Sequence, residues 1–419
     1  MSDLLPRVTA LARAAKAASR AVALATTATR DQALRAAAQA LRAAEPTILA
    51  ANAQDLAAAQ AKGLTAAMTD RLRLDHGRLE AIAVACEDVA KLPDPVGEVT
   101  EAWDRPNGLR IVRRRVPIGL VAIIFESRPN VTVDAAALCL KSGNACILRG
   151  GSEALHTNLA LARAFAAGLA AAGLPTEAVT LLPFTDREAV PALGSLRGLV
   201  DIIVPRGGPG LIEAVVNSAK VPVIKHDAGI CHVYVHAAAD LAMAEAIVLN
   251  AKCQRPSACN AAETLLVDAA VAERFLPAVG RALAARQTEI RGCPRTCALV
   301  PTARPATELD YRTEHLALVL NVKVVAGLAE AVAHIESCGS HHSDAIITAE
   351  EAVARSFLAQ VDSACVYWNA STRFTDGGEF GFGAEVGIST DRLHARGPMG
   401  IRELTTWKFE VTGQGQIRG

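Results

Sequence analysis

The sequence lacks the charge imbalance and the long apolar segments that would assign it to several protein classes. Lysine plus arginine and aspartate plus glutamate each number 43, so no basic excess supports binding to nucleic acid or to a membrane surface. No apolar run reaches the ~18 residues that a membrane span requires. We therefore expect no nucleic-acid partner and no membrane association.

The N-terminal segment also lacks the parts of a signal peptide. Residues 1–20 are amphipathic and rich in alanine and arginine, but they contain no continuous apolar core followed by a cleavage site. An ordinary first helix is the preferred interpretation over a transit peptide. These features predict a cytoplasmic protein.

The ten cysteines do not form the pattern of a disulfide framework or of a metal site. Most lie in apolar contexts, as Cys139 and Cys146 do, and we expect them to be small buried side chains. The nearest approach to a metal-ligand pair is Cys293 with Cys297, and no convincing second pair accompanies it. The sequence therefore predicts no metal.

The chain does have the composition of a globular protein with more than one unit. It contains 419 residues, of which 51% are hydrophobic and 21% charged, and this length predicts two or three packed units. Residues 1–92 carry long alanine, leucine and arginine runs that are broken at Pro46, Gly63 and Gly77. Such runs predict helices.

Two segments predict a small β arm. Apolar and basic residues partly alternate over 109–116, as in a ribbon with one face in water. Three adjacent arginines there permit a nucleic-acid interpretation, but we favour an interface strand that exchanges between subunits. Residues 404–411 predict a closing strand at the same interface. We therefore assign 101–117 and 392–419 to an oligomerisation arm and a C-terminal strand, and expect a homo-oligomer.

From residue 119 onward, apolar strands alternate with helices and end in glycine turns, which predicts an α/β fold with doubly wound parallel sheets. The first unit is predicted to contain strands at 120–125, 145–149, 179–182, 200–204, 221–224 and 231–235, and the second at 263–267, 322–325, 344–348 and 365–368. We assign 1–100 and 118–238 to the first unit and 239–391 to the second.

Two glycine turns in the first unit suggest a phosphate-binding role. Arg149-Gly150-Gly151 and Arg206-Gly207-Gly208 each follow a predicted strand and open a helix. Backbone amides and the helix dipole at such turns can approach a phosphate. Two turns on one sheet raise the prospect of a dinucleotide, although neither is the G-x-G-x-x-G fingerprint of a standard dehydrogenase.

A cysteine loop in the second unit is the other candidate for chemistry. Cys253 and Cys259 lie among polar residues just before a predicted strand. A cysteine in such a loop can act as a nucleophile if its thiolate is stabilised. Taken alone, the pattern favours a structural cysteine, and it does not choose between the two.

Longer motifs establish a resemblance that covers nearly the whole chain. They are Phe125–Thr132, Leu140–Ala145, Lys225–His232, His334–Ile346, Asn369–Gly378 and His394–Gly400, together with the Cys259 loop. With these motifs the chain resembles the aldehyde dehydrogenase superfamily, and within it the branch that reduces glutamyl phosphate. The resemblance implies an NADP-binding domain in the first unit and a catalytic domain in the second.

The resemblance also implies roles for individual residues. The nucleophile of the superfamily falls on Cys259, and Cys253 is then structural. Asn130 falls on the asparagine that stabilises the oxyanion, although it could instead cap the following helix. Arg149 replaces a lysine that contacts the adenosine ribose or its 2′-phosphate, which favours NADP(H).

Further cofactor contacts follow from the same resemblance. The turn from Arg206 through Gly207 and Gly208 is expected near the pyrophosphate. Glu314 matches a glutamate that contacts the nicotinamide ribose, over a stretch that is shorter here than in ordinary aldehyde dehydrogenases. The glutamate base of hydrolytic members is missing, and His226 comes closest to its place, so water should attack the thioester slowly.

The expected activity is the NADPH-dependent reduction of L-glutamyl 5-phosphate to L-glutamate 5-semialdehyde, with release of phosphate, in proline biosynthesis. Arg255, Arg373, His394 and Arg396 are candidates for binding the substrate anions, and each could equally form a structural ion pair. Two alternatives remain: a hydrolytic aldehyde dehydrogenase, and an inactive scaffold partner of glutamate 5-kinase. Intact Cys259 argues against the scaffold.

Overall fold

The computed structural model describes residues 4–225 and 228–418, so His226 lies outside the described residues. The chain divides into two compact units. Within the described residues, the first unit comprises 4–225, 381–387 and 399–418, and the second comprises 228–380 and 388–398.

The first unit begins with a helical segment, as the alanine-rich sequence predicted. Its helices are α1 Leu4–Leu24, α2 Thr27–Ala43, α3 Glu45–Ala61, α4 Ala66–Leu72, α5 His76–Lys91, α6 Asn130–Lys141, α7 Leu155–Ala171, α8 Ala189–Ser195 and α9 Pro209–Ser218. Local signals explain the boundaries. Pro46 lies in the first turn of α3, and the side chains of Thr26 and Asp75 cap α2 and α5.

The strands of the first unit form two sheets. They are β1 Val99–Asp104, β2 Arg110–Pro117, β3 Leu120–Phe125, β4 Ala145–Arg149, β5 Val179–Leu181 and β6 Ile202–Arg206. The parallel sheet has the order β5-β4-β3-β6, so the chain runs from β3 to β4 and β5 on one side and then crosses to β6 on the other side of β3. Ligands of open α/β sheets bind at such a switch point, beyond the carboxyl ends of the strands.

The second unit is built on a seven-stranded parallel sheet in the order β10-β9-β11-β8-β7-β12-β13. Its strands are β7 Cys231–Val235, β8 Ala262–Asp268, β9 Glu289–Gly292, β10 Arg304–Pro305, β11 Val319–Val325, β12 Ser343–Ile347, β13 Cys365–Trp368, and an antiparallel pair, β14 Ile388–Ser389 with β15 Gly397–Pro398. Its helices are α10 Leu241–Cys253, α11 Ala272–Ala284, α12 Pro294–Leu299, α13 Leu328–Cys338 and α14 Glu351–Gln360.

Both faces of this second sheet are buried. Val233 of β7 and Leu265 of β8 pack in one core cluster, while their neighbours Tyr234 and Leu266 pack in another. Successive residues of a strand point to opposite faces, so continuous apolar runs are what a sheet buried on both sides requires. The α/β fold with doubly wound parallel sheets is confirmed.

A small antiparallel sheet completes the first unit. Strand β16, Thr405–Thr412, pairs along its whole length with β2, and β1 pairs with the other edge of β2. The sequence predicted β2 and β16 but not β1. The residues assigned to an arm and a closing strand therefore do form one sheet.

The unit boundaries differ from those predicted. The sequence placed the end of the first unit at 238, but the first unit ends at 225 because β7 is hydrogen-bonded between β8 and β12. The strand expected at 221–224 reduces to a single bridge between Ile203 and Val223, since Pro222 has no N–H to donate. The tail is also divided, with 388–398 in the second unit and 399–418 in the first.

Candidate active site

The candidate nucleophile lies on a loop that joins α10 to β8 in the second unit. Cys259 is partly exposed on this loop, which begins after Cys253 and ends at Ala262. Lys252 precedes the loop and Glu263 follows it, and their Nζ and Oε2 atoms are 2.7 Å apart with both side chains fully buried. A buried ion pair thus joins the two ends of the loop.

Gly229 approaches the backbone of Cys259 more closely than any other residue type could. A Cβ atom at Gly229 would lie 1.9 Å from the carbonyl oxygen of Cys259 and 2.6 Å from its Cα. The backbone N–H of Gly229 donates to the carboxylate of Glu314, whose pKa is raised by burial. Glycine at 229 therefore allows one segment to lie directly against the nucleophile.

A buried polar chain lies beneath the loop. The thiol of Cys231 donates to the carbonyl oxygen of Cys259 at 3.3 Å and lies 3.8 Å from Nδ1 of His342. Ser343 continues the chain from His342 to Thr375, with successive distances of 2.8 and 2.6 Å. Burial raises the pKa of Cys231 well above its usual value, so this thiol stays protonated and serves as a donor.

Asn260 brings an arginine next to the nucleophile. Its amide donates to the carbonyl oxygens of Arg373 and Thr375, at 3.3 and 2.9 Å. The Nε atom of Arg373 donates to Gln254 at 2.8 Å. Burial lowers the pKa of Arg373 first, and the charge of Arg255 lowers it further, while Cys259 acts in the opposite direction. The backbone of Arg373 is thus bonded to the residue after Cys259, and the charges of Arg255 and Cys259 both act on its guanidinium group.

The other two candidates for binding the substrate anions are Arg396 and His394. Arg396 donates to the side chain of Asp362 at 2.5 Å and to its carbonyl oxygen at 2.7 Å. It therefore forms the structural ion pair that the sequence left open. His394 is exposed, with a φ of 70°.

Cys253 packs as a structural residue. It is the last residue of α10, contacts the main core of the second unit, and lies 3.5 Å from the hydroxyl of Thr288. A depression of about 850 Å³ opens beside it, and the lining includes Cys253 but not Cys259. We give this depression no role in the chemistry, because Cys259 does not line it.

In the first unit, the candidate phosphate turns lie at the carboxyl edge of the parallel sheet. Gly150 and Gly151 follow β4, and Gly207 and Gly208 follow β6. A Cβ atom at Gly208 would meet no atom within 4 Å, so the turn is open on that side, at the start of α9. A phosphate can approach such a helix start. This turn fits the pyrophosphate of a dinucleotide.

Carboxylates that the sequence analysis did not single out hold these turns. Glu126 accepts from the N–H of Gly208 at 3.2 Å, and its Oε2 would lie 2.4 Å from a Cβ atom at Gly207. Glu153 accepts from the backbone N–H and the hydroxyl of Ser127, at 2.5 and 2.9 Å. The available signal was a glutamate directly after β3 and another two residues after Gly151.

Arg149 and Asn130 both have partners within the first unit. The guanidinium of Arg149 is nearly buried and donates to the carbonyl oxygen of Thr185 at 2.7 Å, and burial lowers its pKa. The amide of Asn130 donates to Asp134 at 2.8 Å. Pro129, rather than Asn130, occupies the cap position of α6.

Two other kinds of feature are absent from the described residues. Among the described residues, no group of three or more histidine, cysteine, aspartate or glutamate side chains could hold a metal ion. In the part of the chain that the structure describes, no helix combines the length and apolar character needed to cross a membrane.

The chain belongs to the aldehyde dehydrogenase family, whose sequence profile matches residues 6–295. Membership implies a nicotinamide cofactor. Similar proteins carry a more specific name. Proteins from Symbiobacterium thermophilum and Moorella thermoacetica, both named gamma-glutamyl phosphate reductase, are 56% and 54% identical. The alignments cover 98% and 96% of this chain and 100% and 97% of those proteins.

Two solved structures are similar to this chain, and one of them has the same name as these relatives. The gamma-glutamyl phosphate reductase of Thermotoga maritima is 45% identical, with a TM-score of 0.97 over 98% of this chain and 100% of that chain. An acetylating aldehyde dehydrogenase from Geobacillus thermoglucosidasius has a TM-score of 0.69 at 18% identity over the full length of both chains. This second likeness shows a shared fold.

Proposed function

We propose that this chain reduces L-glutamyl 5-phosphate to L-glutamate 5-semialdehyde with NADPH, through a thioester on Cys259, as a step of proline biosynthesis. The observation that carries the proposal is a partly exposed thiol on a loop that contains Arg255 and is hydrogen-bonded through Asn260 to the backbone of Arg373. A nucleophile next to positive charge suits a substrate that carries a phosphate and an α-carboxylate. The relatives at 54% and 56% identity support the same assignment.

In the first step, the thiolate of Cys259 attacks the acyl carbon of the substrate. The bond from that carbon to the phosphate oxygen breaks, and phosphate leaves with the electron pair. Arg255 and Arg373 stabilise the charge on the leaving phosphate. The covalent thioester divides one difficult reduction into two easier steps.

In the second step, the thioester is reduced and Cys259 leaves as a thiolate. The nicotinamide cofactor supplies the hydride when bound. We assign stabilisation of the oxyanion to the backbone N–H of Cys259 and, on the resemblance described above, to the amide of Asn130. Each donor of this kind typically contributes ~3 kcal/mol. Collapse of the tetrahedral adduct then releases the aldehyde.

The surroundings of Cys259 do not favour hydrolysis of the thioester. Glu263 is ion-paired with Lys252 and accepts from the N–H of Leu316 at 3.2 Å. Glu314 accepts from the N–H of Gly229. These two carboxylates are engaged by protein donors, whereas a general base must be available to take a proton from water.

The preference for NADP(H) is part of the proposal, and the first unit offers a specific basis for it. Arg149 is committed to Thr185, but the exposed Arg187 is close enough for its charge to lower the pKa of Arg149. Arg187 can therefore attract a 2′-phosphate. Arg187→Ala should raise the KM for NADP+ several-fold and leave the KM for NAD+ nearly unchanged. An equal change for both cofactors would contradict this assignment.

One assay separates the proposed activity from its alternatives. NADP+ reduction is followed with glutamate 5-semialdehyde, in the presence and absence of inorganic phosphate. The proposal requires turnover that depends on phosphate. Phosphate-independent turnover would support a hydrolytic aldehyde dehydrogenase. No turnover under either condition would support the inactive scaffold partner of glutamate 5-kinase.

A pair of cysteine variants tests the assignment of the nucleophile. Cys259→Ala should abolish the phosphate-dependent activity, because no thioester can form. Cys253→Ala is the matched control, since Cys253 lies at the start of the same loop and packs against the core. It should retain most of the activity. The reverse result would transfer the nucleophile to Cys253.

The antiparallel sheet of the first unit is proposed to join two copies of the chain. Trp407, Phe409 and Val411 alternate along β16 and are 46%, 56% and 57% exposed. In the described residues, β16 pairs with β2 alone, so its outer edge is available for another strand. Exposed apolar side chains on an open edge favour association. Phe409→Lys should shift the sedimentation coefficient towards the monomer, and an unchanged value would contradict the proposal.

A further inference from the structure

The ends of the nucleophile loop are joined by an unusual contact for the interior of an α/β unit. Lys252 lies in the last turn of α10 and Glu263 is the second residue of β8, and both side chains have no exposed surface. Their ion pair at 2.7 Å spans only the eleven positions that include Cys259. The loop therefore begins and ends at one buried charge pair.

Burying two charges is costly unless their geometry is specific. Desolvation offsets much of the attraction within such pairs, and an apolar pair of similar volume often stabilises a protein as well or better. Burial lowers the pKa of Lys252 and raises that of Glu263, while each partner opposes the shift of the other. The ion pair is thus a poor means of stabilising the fold, and its position points instead to the loop that it holds.

A second carboxylate, that of Glu314, connects the ion pair to Gly229. Glu263 accepts from the backbone N–H of Leu316, whose φ of 53° is uncommon for a leucine. This bond holds the short segment that carries Glu314. Glu314 in turn accepts from the N–H of Gly229, which lies against the carbonyl of Cys259.

These contacts hold the loop at both ends and in its middle. Lys252 and Glu263 join its two ends, and Glu314 accepts from Gly229, which lies against the carbonyl of Cys259. Lys252 also acts electrostatically on Glu314, so two carboxylates share one ammonium group. The other titratable groups that interact with Lys252 are two thiols and one imidazole, namely Cys231, Cys253 and His315.

We propose that Lys252, Glu263 and Glu314 form a clamp that positions the thiol of Cys259 for attack on the acyl phosphate. Lys252 and Glu263 are positioning residues, since they act through the loop, and Glu314 acts through Gly229 in addition to the ribose contact that the resemblance implies. The inference rests on the proposed role of Cys259 as nucleophile. It adds the requirement that the reaction depends on the ion pair of Lys252 with Glu263.

The first unit offers a matched control for the ion pair. Lys141 is 1% exposed, and its Nζ atom lies 2.6 Å from Asp31. Replacing either lysine by methionine removes a buried ammonium group and leaves one carboxylate unpaired. Lys252→Met and Lys141→Met should therefore both lower the denaturation midpoint. Only Lys252→Met should lower kcat, by 10- to 100-fold, with the KM for glutamate semialdehyde changed less than about 3-fold.

A double variant separates positioning from stability. Lys252→Met with Glu263→Met replaces the ion pair by apolar side chains, which should recover most of the denaturation midpoint. The methionine at 263 cannot accept from Leu316, and the charge of Glu314 remains unbalanced. We therefore expect kcat to stay low. Recovery of kcat together with the midpoint, or an equal loss of kcat in Lys141→Met, would overturn the proposal.

Hydrogen exchange provides a readout that does not depend on turnover. The amides of residues 254–261 should exchange faster in Lys252→Met than in the parent protein or in Lys141→Met. Unchanged protection of this loop in Lys252→Met would contradict the clamp. If Cys259→Ala retains activity, the proposed function fails instead, whatever the exchange of the loop shows. The two failures are therefore distinguishable.

Discussion

The amide of Asn130 donates a hydrogen bond to the carboxylate of Asp134, one turn further along α6, at 2.8 Å. Burial raises the pKa of Asp134 to about 6, so the carboxylate is ionised at neutral pH and accepts this bond strongly. One amide hydrogen of Asn130 is thereby fixed, and the direction of the second is determined. The amide of Asn130 is therefore an oriented donor. It does not cap α6, because the cap position belongs to Pro129.

Removal of this donor should slow the chemical step. Asn130→Ala is expected to lower kcat by roughly 100-fold, as is typical when an oxyanion donor is lost. Asp134→Asn keeps the volume but removes the charge that orients the amide, so its effect should be smaller. Steady-state kinetics in the semialdehyde-oxidising direction measure both. Full activity of Asn130→Ala would exclude the role as donor.

The contact between Gly229 and Cys259 leads to a second prediction. Gly229→Ala places a methyl group 1.9 Å from the carbonyl oxygen of Cys259, so the backbone of the nucleophile loop must move. We expect kcat to fall at least 10-fold, because small displacements of a nucleophile are costly. Gly327→Ala in the same unit is the control, since its Cβ would meet no atom within 4 Å. Wild-type kcat in Gly229→Ala would show that the loop tolerates the shift.

The cysteines should differ in reactivity, because both exposure and hydrogen bonding differ between their thiols. Cys293 is partly exposed and accepts hydrogen bonds from Thr296 and from the N–H of Val324, and the pKa of its thiol is lowered even though burial opposes the shift. Cys231 is buried and its pKa is raised. Iodoacetamide at pH 7 should therefore modify Cys293 well before Cys231. Peptide mapping by mass spectrometry reports the order, and the opposite order would refute it.

Asp310 should make stability depend on pH in the acidic range. Its carboxylate accepts from the hydroxyl and the N–H of Thr307 and from Arg291, and these bonds lower its pKa to about 2. A carboxylate with a depressed pKa in the folded state stabilises the fold above its unfolded pKa. That contribution, about 2 kcal/mol, is lost as the pH falls from about 4 to 2.

Urea unfolding of Asp310→Asn measures this contribution. The variant should be less stable than the parent protein at pH 7, and the difference should shrink at pH 3. Glu336→Gln replaces an exposed carboxylate on α13 of the same unit and should change stability little at either pH. A difference for Asp310→Asn that is equal at both pH values would contradict the assigned shift.

Much of the fold could be predicted because its signals are local. The run Leu120–Phe125 is apolar at every position and forms a strand buried on both faces, as expected. The alternating segment before it forms β2, with β16 as its partner. The position of β7 could not be predicted, because which sheet a strand joins depends on hydrogen-bond partners that are distant in the sequence.

In the candidate site, too, some features could be predicted from the sequence and others depend on the tertiary structure. The sequence alone, through short motifs and their resemblance, determined the family, the candidate nucleophile Cys259 and the turns that suit a dinucleotide. Only the tertiary structure paired Arg396 with Asp362, bonded the backbone of Arg373 to Asn260, and buried Lys252 against Glu263. The physical reason is that motifs record which side chains are present. Burial and pairing of charges depend on packing between segments that lie far apart in the chain.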